Sequence, residues 1–248
     1  MVVAERIVRE LRARGVDCVF GVAGSSILGL LEALRATGTR YVSCRSENGA
    51  VLMALGYARA TRRPSVCLVS SGPGVAFGTG GVSAAHRGRV PLLLLSGGTP
   101  RALKGLGAFQ DLDTAALLGP VTKCSMTLGS PSAVARVIDR LWTLASAGRR
   151  GPVHLCIPTD VLAAPALADR VRREDAPTLP SAPAPEAVAT VIARLRRARR
   201  PVLFIGDEVT WSSLRAFAMS RSKASTLGLC QNSFTGGMTA CPMSARPS

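Results

Sequence analysis

Apolar residues recur along this chain in two alternating rhythms. Val3, Ile7 and Leu11 share one face of a helix, and Cys18-Val19-Phe20 then forms a short apolar run that stops at Gly21. Residues 27–36 return to helical spacing, with Ser25 or Ser26 available as the N-cap, and Tyr41-Val42-Ser43 reads as a strand. The alternation continues with a helix over 48–60 and a strand over 65–70 that runs into Gly72-Pro73-Gly74. A helix of small residues over about 75–87 follows, then a buried strand over 91–96. Residues 134–147 form a helix with Val134, Val137, Ile138 and Leu141 inward, and 153–157 form another strand. Strands that are almost wholly apolar, separated by helix-length crossovers, are what a parallel sheet buried on both faces requires. The pattern therefore predicts an α/β fold, a parallel sheet with helices on both faces, over residues 1–162.

The rhythm then breaks. Residues 163–185 are rich in Ala, Pro and charge, as suits an interdomain linker. A helix over 186–199 and a strand over 201–205 open a partial second α/β unit spanning 186–219. Residues 220–248 are rich in Ser, Thr, Gly, Cys and Met, carry no usable period, and are expected to be an irregular or disordered tail that does not complete that unit.

Composition narrows the partners. An apolar fraction of 47% is ample for a packed core. The formal charge of +16 arises from 31 basic against 15 acidic residues, and only Lys104, Lys123 and Lys223 among the basic ones are lysine. These charges are scattered with few aromatics between them. Their densest group, 194–200, lies on a helix whose Val188, Val191, Ile192 and Leu195 make an apolar stripe. That is the arrangement of a solvated helix face, so no nucleic-acid partner is expected. The seven cysteines are widely separated, several within apolar runs, and fit buried thiols of a reducing cytoplasm better than disulfides or a zinc site. Glu5, Arg6, Arg9 and Glu10 rule against a signal peptide, and no apolar run approaches a membrane span. A soluble, cytoplasmic protein is expected.

Four segments stand where strands end. Phe20-Gly21-Val22-Ala23-Gly24-Ser25 is a strand-to-helix turn, Glu47 begins the helix of Arg45-Ser46-Glu47-Asn48-Gly49-Ala50, and Ser70-Ser71-Gly72-Pro73-Gly74 follows a third strand. Gly107-Ala108-Phe109-Gln110-Asp111 lies in a glycine-bearing loop. Singly each is weak: glycines at such turns serve backbone geometry, and a first-turn glutamate complements the helix dipole. In open α/β sheets, however, ligands collect at the carboxyl ends of the strands, so the segments point to one crevice. A nucleotide-binding Rossmann reading lacks the G-x-G-x-x-G turn and its acidic ribose partner.

Taken in order, these segments resemble the pyrimidine-binding N-terminal domain of thiamine-diphosphate enzymes of the acetolactate synthase type. The resemblance rests on Phe20 to Gly24, Ser46-Glu47 with Ala50, Gly56-Tyr57-Ala58-Arg59, and Ser71 to Gly74. It continues through Val90-Pro91 with Ser96-Gly97, Phe109-Gln110-Asp111, and Gly151-Pro152-Val153 to Ile157-Pro158-Thr159-Asp160. Beyond residue 160 it weakens, with Pro201 to Gly206 similar to the first strand of the family's middle domain.

The resemblance implies thiamine diphosphate as cofactor and a 2-keto acid as substrate. Glu47 would bond N1′ of the aminopyrimidine and favour the imino tautomer that takes the thiazolium C2 proton. Ala23, Gly24, Pro73, Gly74 and Phe77 would line the ring's pocket, and Gln110 would reach the reacting centre from a neighbouring subunit. Ser46 replaces the family's histidine, Ala23 its proline, Asp111 its loop glutamate, and Phe77 a frequent asparagine. The family holds the diphosphate through Mg²⁺ on a separate domain bearing G-D-G and a later asparagine. No G-D-G occurs here, and Gly206-Asp207-Glu208 is the nearest string. The metal site is thus expected to lie outside this chain, leaving it inactive alone. It would act as a homodimer, or with a chain carrying the diphosphate domain as in split keto-acid decarboxylases, or persist as a non-catalytic dimerising module.

Overall fold

The computed structural model describes residues 1–166, 184–199, 202–205, 211 and 228–231. The chain divides into two compact units, Met1–Pro180 and Ser181–Ser248. Most of the expected linker, and most of the expected tail, lie outside the described residues.

In the first unit the elements run α1 (Val3–Arg12), β1 (Cys18–Gly21), α2 (Leu28–Ala36), β2 (Arg40–Ser43), α3 (Glu47–Thr61) and β3 (Ser65–Val69). They continue with α4 (Pro73–Arg87), β4 (Leu92–Gly98), α5 (Thr114–Leu118), β5 (Cys124–Thr127), α6 (Val134–Ser146), β6 (Pro152–Pro158) and α7 (Thr159–Ala163). The six strands pair in parallel in the order β2-β1-β3-β4-β6-β5. In the second unit α8 (Pro185–Arg197) precedes β7 (Val202–Ile205), which pairs in parallel with β8 (Gly228–Gln231). Residues 228–231 were expected to be irregular, and they form this strand instead. Four residues are too few to show a period, so their pairing is set by β7 rather than by a pattern of their own.

The period-two geometry of a strand sends alternate side chains to opposite faces. Val19, Val66, Leu68, Leu93, Leu95, Val153, Leu155 and Ile157 meet α1, α2 and α6 on one face. Cys18, Phe20, Cys67, Val69, Leu92 and Leu94 meet α3, α4 and Leu118 of α5 on the other. Both faces are therefore apolar, which is why the central strands read as unbroken apolar runs. The face under α3 and α4 is built from small residues. An ideal Cβ at Gly81 would lie 2.8 Å from Val51, and one at Gly78 3.5 Å from it, so glycines let the two helices lie close.

Three details depart from the sequence pattern. β5 and its neighbour α5 were not anticipated: Cys124-Ser125-Met126-Thr127 is a half-exposed edge strand with little apolar signal. Ser25–Ile27 form a 3₁₀ turn ahead of α2, and neither serine caps the helix. Ser26 Oγ instead accepts the Ser71 N–H at 3.1 Å, satisfying a buried amide at the end of β3. One buried polar line also crosses the sheet, where His154 of β6 lies between Ser96 Oγ (2.9 Å from Nε2) and Ser125 Oγ (2.8 Å from Nδ1). Burial pushes the His154 pKa down to about 3, so the ring is neutral at physiological pH.

Candidate active site at the carboxyl edge of the sheet

Backbone contact through glycines brings the strand ends together. A Cβ at Gly24 would sit 2.4 Å from Ser70 Oγ, and one at Gly97 would sit 2.2 Å from Ser26 Oγ. Ser26 Oγ also lies 3.1 Å from Ser70 Oγ. The turn after β1, the turn after β3 and the end of β4 are thus packed at distances no larger residue could share.

The loop holding Gln110 joins the same edge. Gly72 has φ +44° and ψ −100°, and a Cβ there would meet the Gln110 carbonyl oxygen at 2.3 Å. Gln110 itself sits in the left-handed region at φ 58°. Ser71 Oγ donates to Gln110 Oε1 at 2.8 Å. Gln110 therefore packs on the Gly72-Pro73-Gly74 turn of its own chain. The short glycine turn and the Ser71 hydrogen bond hold it there.

Glu47 is placed by its cap. Ser46 stands in extended backbone at φ −149°, and its Oγ accepts the Gly49 N–H at 3.2 Å, so α3 starts at Glu47. The serine found where the family has histidine thus fixes where the helix begins. The Glu47 side chain runs along the first turn of α4. A Cβ at Gly78 would lie 3.8 Å from Glu47 Cβ, and one at Gly74 would lie 3.5 Å from Oε1 and 3.9 Å from Cγ. The carboxylate is half-buried, and among the described residues it has neither a hydrogen-bond donor nor an ion-pair partner. Glu47 and Gly74 are brought together, as are Gly24 with Ser70 and Gln110 with Gly72. Ala23 and Pro73 are exposed on the two turns, and Gly24 is partly buried. Phe77 is 69% exposed on α4.

Two features of this edge had no signal in the sequence that periodicity could raise. The first is an ion pair in which Arg101 Nε donates to Asp160 Oδ2 at 2.7 Å and the Arg101 backbone N–H donates to Oδ1 at 3.1 Å. Arg101 also donates to the Gly129 carbonyl, tying the loop after β4 to the ends of β5 and β6. Burial raises the Asp160 carboxyl, but the hydrogen bonds and charge of Arg101 outweigh it and hold the group below its ordinary value. The second is a small cleft against Gly72, Gly97 and Gly98, whose polar lining includes Thr99, Lys104, Gln110 and Asp111.

Comparison with known proteins agrees with this geometry. Residues 1–117 match the thiamine pyrophosphate enzyme family at its N-terminal TPP binding domain. The chain is 36% identical over 229 residues to the "Probable 2-ketoarginine decarboxylase AruI" of Pseudomonas aeruginosa, covering 90% of this chain and 40% of that protein. It is 33% identical over 216 residues to the acetolactate synthase isozyme 1 large subunit of Escherichia coli strain K12, covering 83% of this chain and 37% of that one. The chain thus spans well under half the length of these relatives. The solved structure of the Rhodococcus jostii RHA1 thiamine diphosphate-dependent 4-hydroxybenzoylformate decarboxylase superposes with a TM-score of 0.76 at 26% identity, covering 84% of this chain and 40% of that chain. Sheet order, edge geometry and these matches together place the chain among the thiamine-diphosphate enzymes of acetolactate synthase-like type, whose N-terminal pyrimidine-binding domain it carries.

Proposed function

We propose that this chain supplies the pyrimidine half of a thiamine-diphosphate site for decarboxylation or carboligation of a 2-keto acid. The observation that carries the reading is the Glu47 carboxylate, unpartnered among the described residues and laid over Gly74 at the edge where four segments converge. Gly74 carries no Cβ, and one there would touch Glu47 Oε1 at 3.5 Å, so the glycine keeps a methyl away from the carboxylate. Once bound, thiamine diphosphate supplies a nucleophilic thiazolium carbon toward 2-keto acids. In this reading Glu47 holds a proton at ring N1′, a role of general acid–base type that contributes on the order of 10²–10⁴ in rate. Ala23, Gly24, Pro73 and Gly74 leave room for the ring, Phe77 flanks it, and Gln110 turns its amide toward the reacting centre.

Diphosphate binding falls to other residues. Among the described residues no group of three or more His, Cys, Asp or Glu could hold a metal ion, and the sequence contains no G-D-G. In this reading Mg²⁺ and the diphosphate are held by a separate domain, on which turnover depends. Residues 1–162 are the pyrimidine domain, 163–185 a linker and 186–219 the start of a central domain. A homodimer, or a complex with a chain bearing the diphosphate domain, completes the site in the cytoplasm. The alternative readings are the pyrimidine-domain subunit of a split 2-keto acid decarboxylase, or a non-catalytic dimerising module. No helix among the described residues is long and apolar enough to cross a membrane.

The test is C2-proton exchange of thiamine diphosphate, followed by NMR in a complex of this chain with a diphosphate-domain chain. Glu47→Gln should abolish exchange and leave the thermal midpoint unchanged; exchange at the wild-type rate would remove the assignment.

A further inference from the structure

We propose that the amino edge of the sheet, opposite the Glu47 edge, is a docking surface for an acidic protein segment, a run of Asp or Glu held by Arg40, Arg59, Arg62, Arg63, Arg87 and Arg149. The surface is separate from the cofactor edge and does not depend on it: β4, seven residues long, sets the two edges about 20 Å apart.

In the sequence these arginines are scattered, and the fold gathers them. All six strands run in parallel, so every strand begins at one edge, and the helices that return to it end there. Arg40 begins β2, Arg62 and Arg63 lead into β3, Arg87 leads into β4 and Arg149 into β6. Arg59 lies in the last turn of α3, and its Nη2 would be 2.6 Å from a Cβ on Gly88, so its guanidinium rests on the end of α4 next to Arg87. All six are exposed and, among the described residues, none gives its guanidinium to an ion pair or a hydrogen bond. By contrast, Arg14 at this edge is taken by Glu10 at 2.7 Å and Asp139 at 2.6 Å. Asp17, the carboxylate that leads into β1, already accepts the Tyr57 hydroxyl at 2.7 Å. Helix dipoles account for Arg59 and Arg87 in the last turns of α3 and α4. They do not account for Arg40, Arg63 and Arg149, which lie outside the helices. Backbone strain points the same way. Three non-glycine residues among those described have positive φ, and two of them, Arg62 at 58° and Arg89 at 51°, are arginines at this edge. Glycine or asparagine is the ordinary occupant of such backbone.

The spacing of the row selects the partner. With neighbouring strands about 4.8 Å apart, the starts of β2 and β6 stand about 19 Å from each other, the reach of about six extended residues. Cations set in a row on open surface match a chain of charges rather than one small anion, and each guanidinium fork can take a carboxylate in two hydrogen bonds. Single-stranded nucleic acid would also stack its bases on aromatic side chains. The exposed rings among the described residues, Phe77 and Phe109, belong to the first turn of α4 and the loop after β4, at the other edge. A second copy of this chain, itself at +16, is repelled.

The experiment follows the fluorescence anisotropy of a fluorescein-labelled peptide of about ten glutamates, at about 50 mM salt, as the full 248-residue chain is added. We expect saturable binding with a Kd on the order of 10⁻⁵ M, and no binding of a glutamine peptide of the same length. Two double variants each remove two charges. Arg63→Gln/Arg87→Gln should weaken binding by at least about fivefold, whereas Arg136→Gln/Arg140→Gln, exposed on α6, should weaken it by less than about twofold. Arg40→Gln/Arg149→Gln removes the two ends of the row and should weaken binding by at least about threefold, which keeps the test decisive if the first variant folds poorly. Equal effects of the edge and α6 variants would mean that net charge alone attracts the peptide, and would overturn the proposal. Absence of saturable binding would overturn it as well. So would tighter binding of an oligouridylate of equal charge, which would assign the surface to nucleic acid. Glu47→Gln should bind the peptide as the wild type does, since the two edges are separate.

Discussion

Two neighbouring glycines separate folding from chemistry at this edge. Gly72 combines a positive φ with the Gln110 carbonyl 2.3 Å from where a Cβ would be. Gly72→Ala should therefore destabilise the first unit by about 2 kcal/mol or more, read as a lower midpoint in urea unfolding. Gly74 lies in helical backbone with ordinary van der Waals space, 3.5 Å from Glu47 Oε1. Gly74→Ala should change stability by less than about 1 kcal/mol. It should nonetheless weaken cofactor binding in the reconstituted complex, because its methyl takes the hollow beside the carboxylate. Equal effects of the two substitutions on binding and folding would contradict this division. His154 makes a third residue-scale prediction. With its pKa held at about 3 in the folded chain and near 6.5 when unfolded, the unfolded state takes up a proton between those values that the folded state refuses. Stability is full above about pH 6.5 and should fall by up to about 1.4 kcal/mol per pH unit as acid is added through that window. The lowered carboxyls of Glu10 and Asp160 add to this only at the acid end of the window, since their contribution is present above about pH 4 and is lost as pH falls from there. Urea unfolding at a series of pH values should show the slope in the wild type and its loss in His154→Gln.

Among elements, the ends of helices and the loop after β4 carry the specific contacts. α6 ends at Ser146 with Ala147 in extended backbone, and Lys123 Nζ donates to the Leu144 carbonyl and, at 2.7 Å, to that of Ala147. A cation at a helix C-terminus both caps carbonyls and meets the negative end of the dipole. Lys123→Met should cost about 1–2 kcal/mol in urea unfolding. The Arg101–Asp160 pair is exposed enough that Arg101→Ala should change global stability by less than about 1 kcal/mol. Its effect should be local instead, with faster amide hydrogen exchange over residues 101–111. Unchanged exchange there would mean the glycine turn and Ser71 alone hold Gln110 in place. The apolar runs of β1, β3, β4 and β6 and the stripes of α1, α2 and α6 were legible in the sequence, because burial on both faces leaves no room for polar alternation. β5 was not, because an edge strand meets solvent and its Cys-Ser-Met-Thr composition resembles a loop. The serines before α2 depart from their sequence pattern for a related reason: capping residues and edge-satisfying residues have the same chemistry, and only the neighbour across the sheet distinguishes them.

At the scale of the molecule, the start of the chain is tied to the segment after α7: the Val3 N–H donates to the Ala164 carbonyl and the Ala166 N–H to the Met1 carbonyl. A protein ending at Pro180 should unfold cooperatively at the same thermal midpoint as the full chain, within about 2 °C. A lower midpoint would show that the second unit contributes to the stability of the first. The order of motifs fixed the family and the sheet type on its own, since short segments at strand ends need only their local spacing to be read. Glu47 and Gln110 stand out from their motifs in the same way. The tertiary structure decided their surroundings: that Gln110 leans on the glycine turn of its own chain, that Ser71 bonds its amide, and that Thr99 is left with a buried hydroxyl lacking a partner. Those facts depend on which strands lie side by side and how closely backbones approach across them. Such distances are set by packing between residues far apart in the chain, which no local pattern encodes.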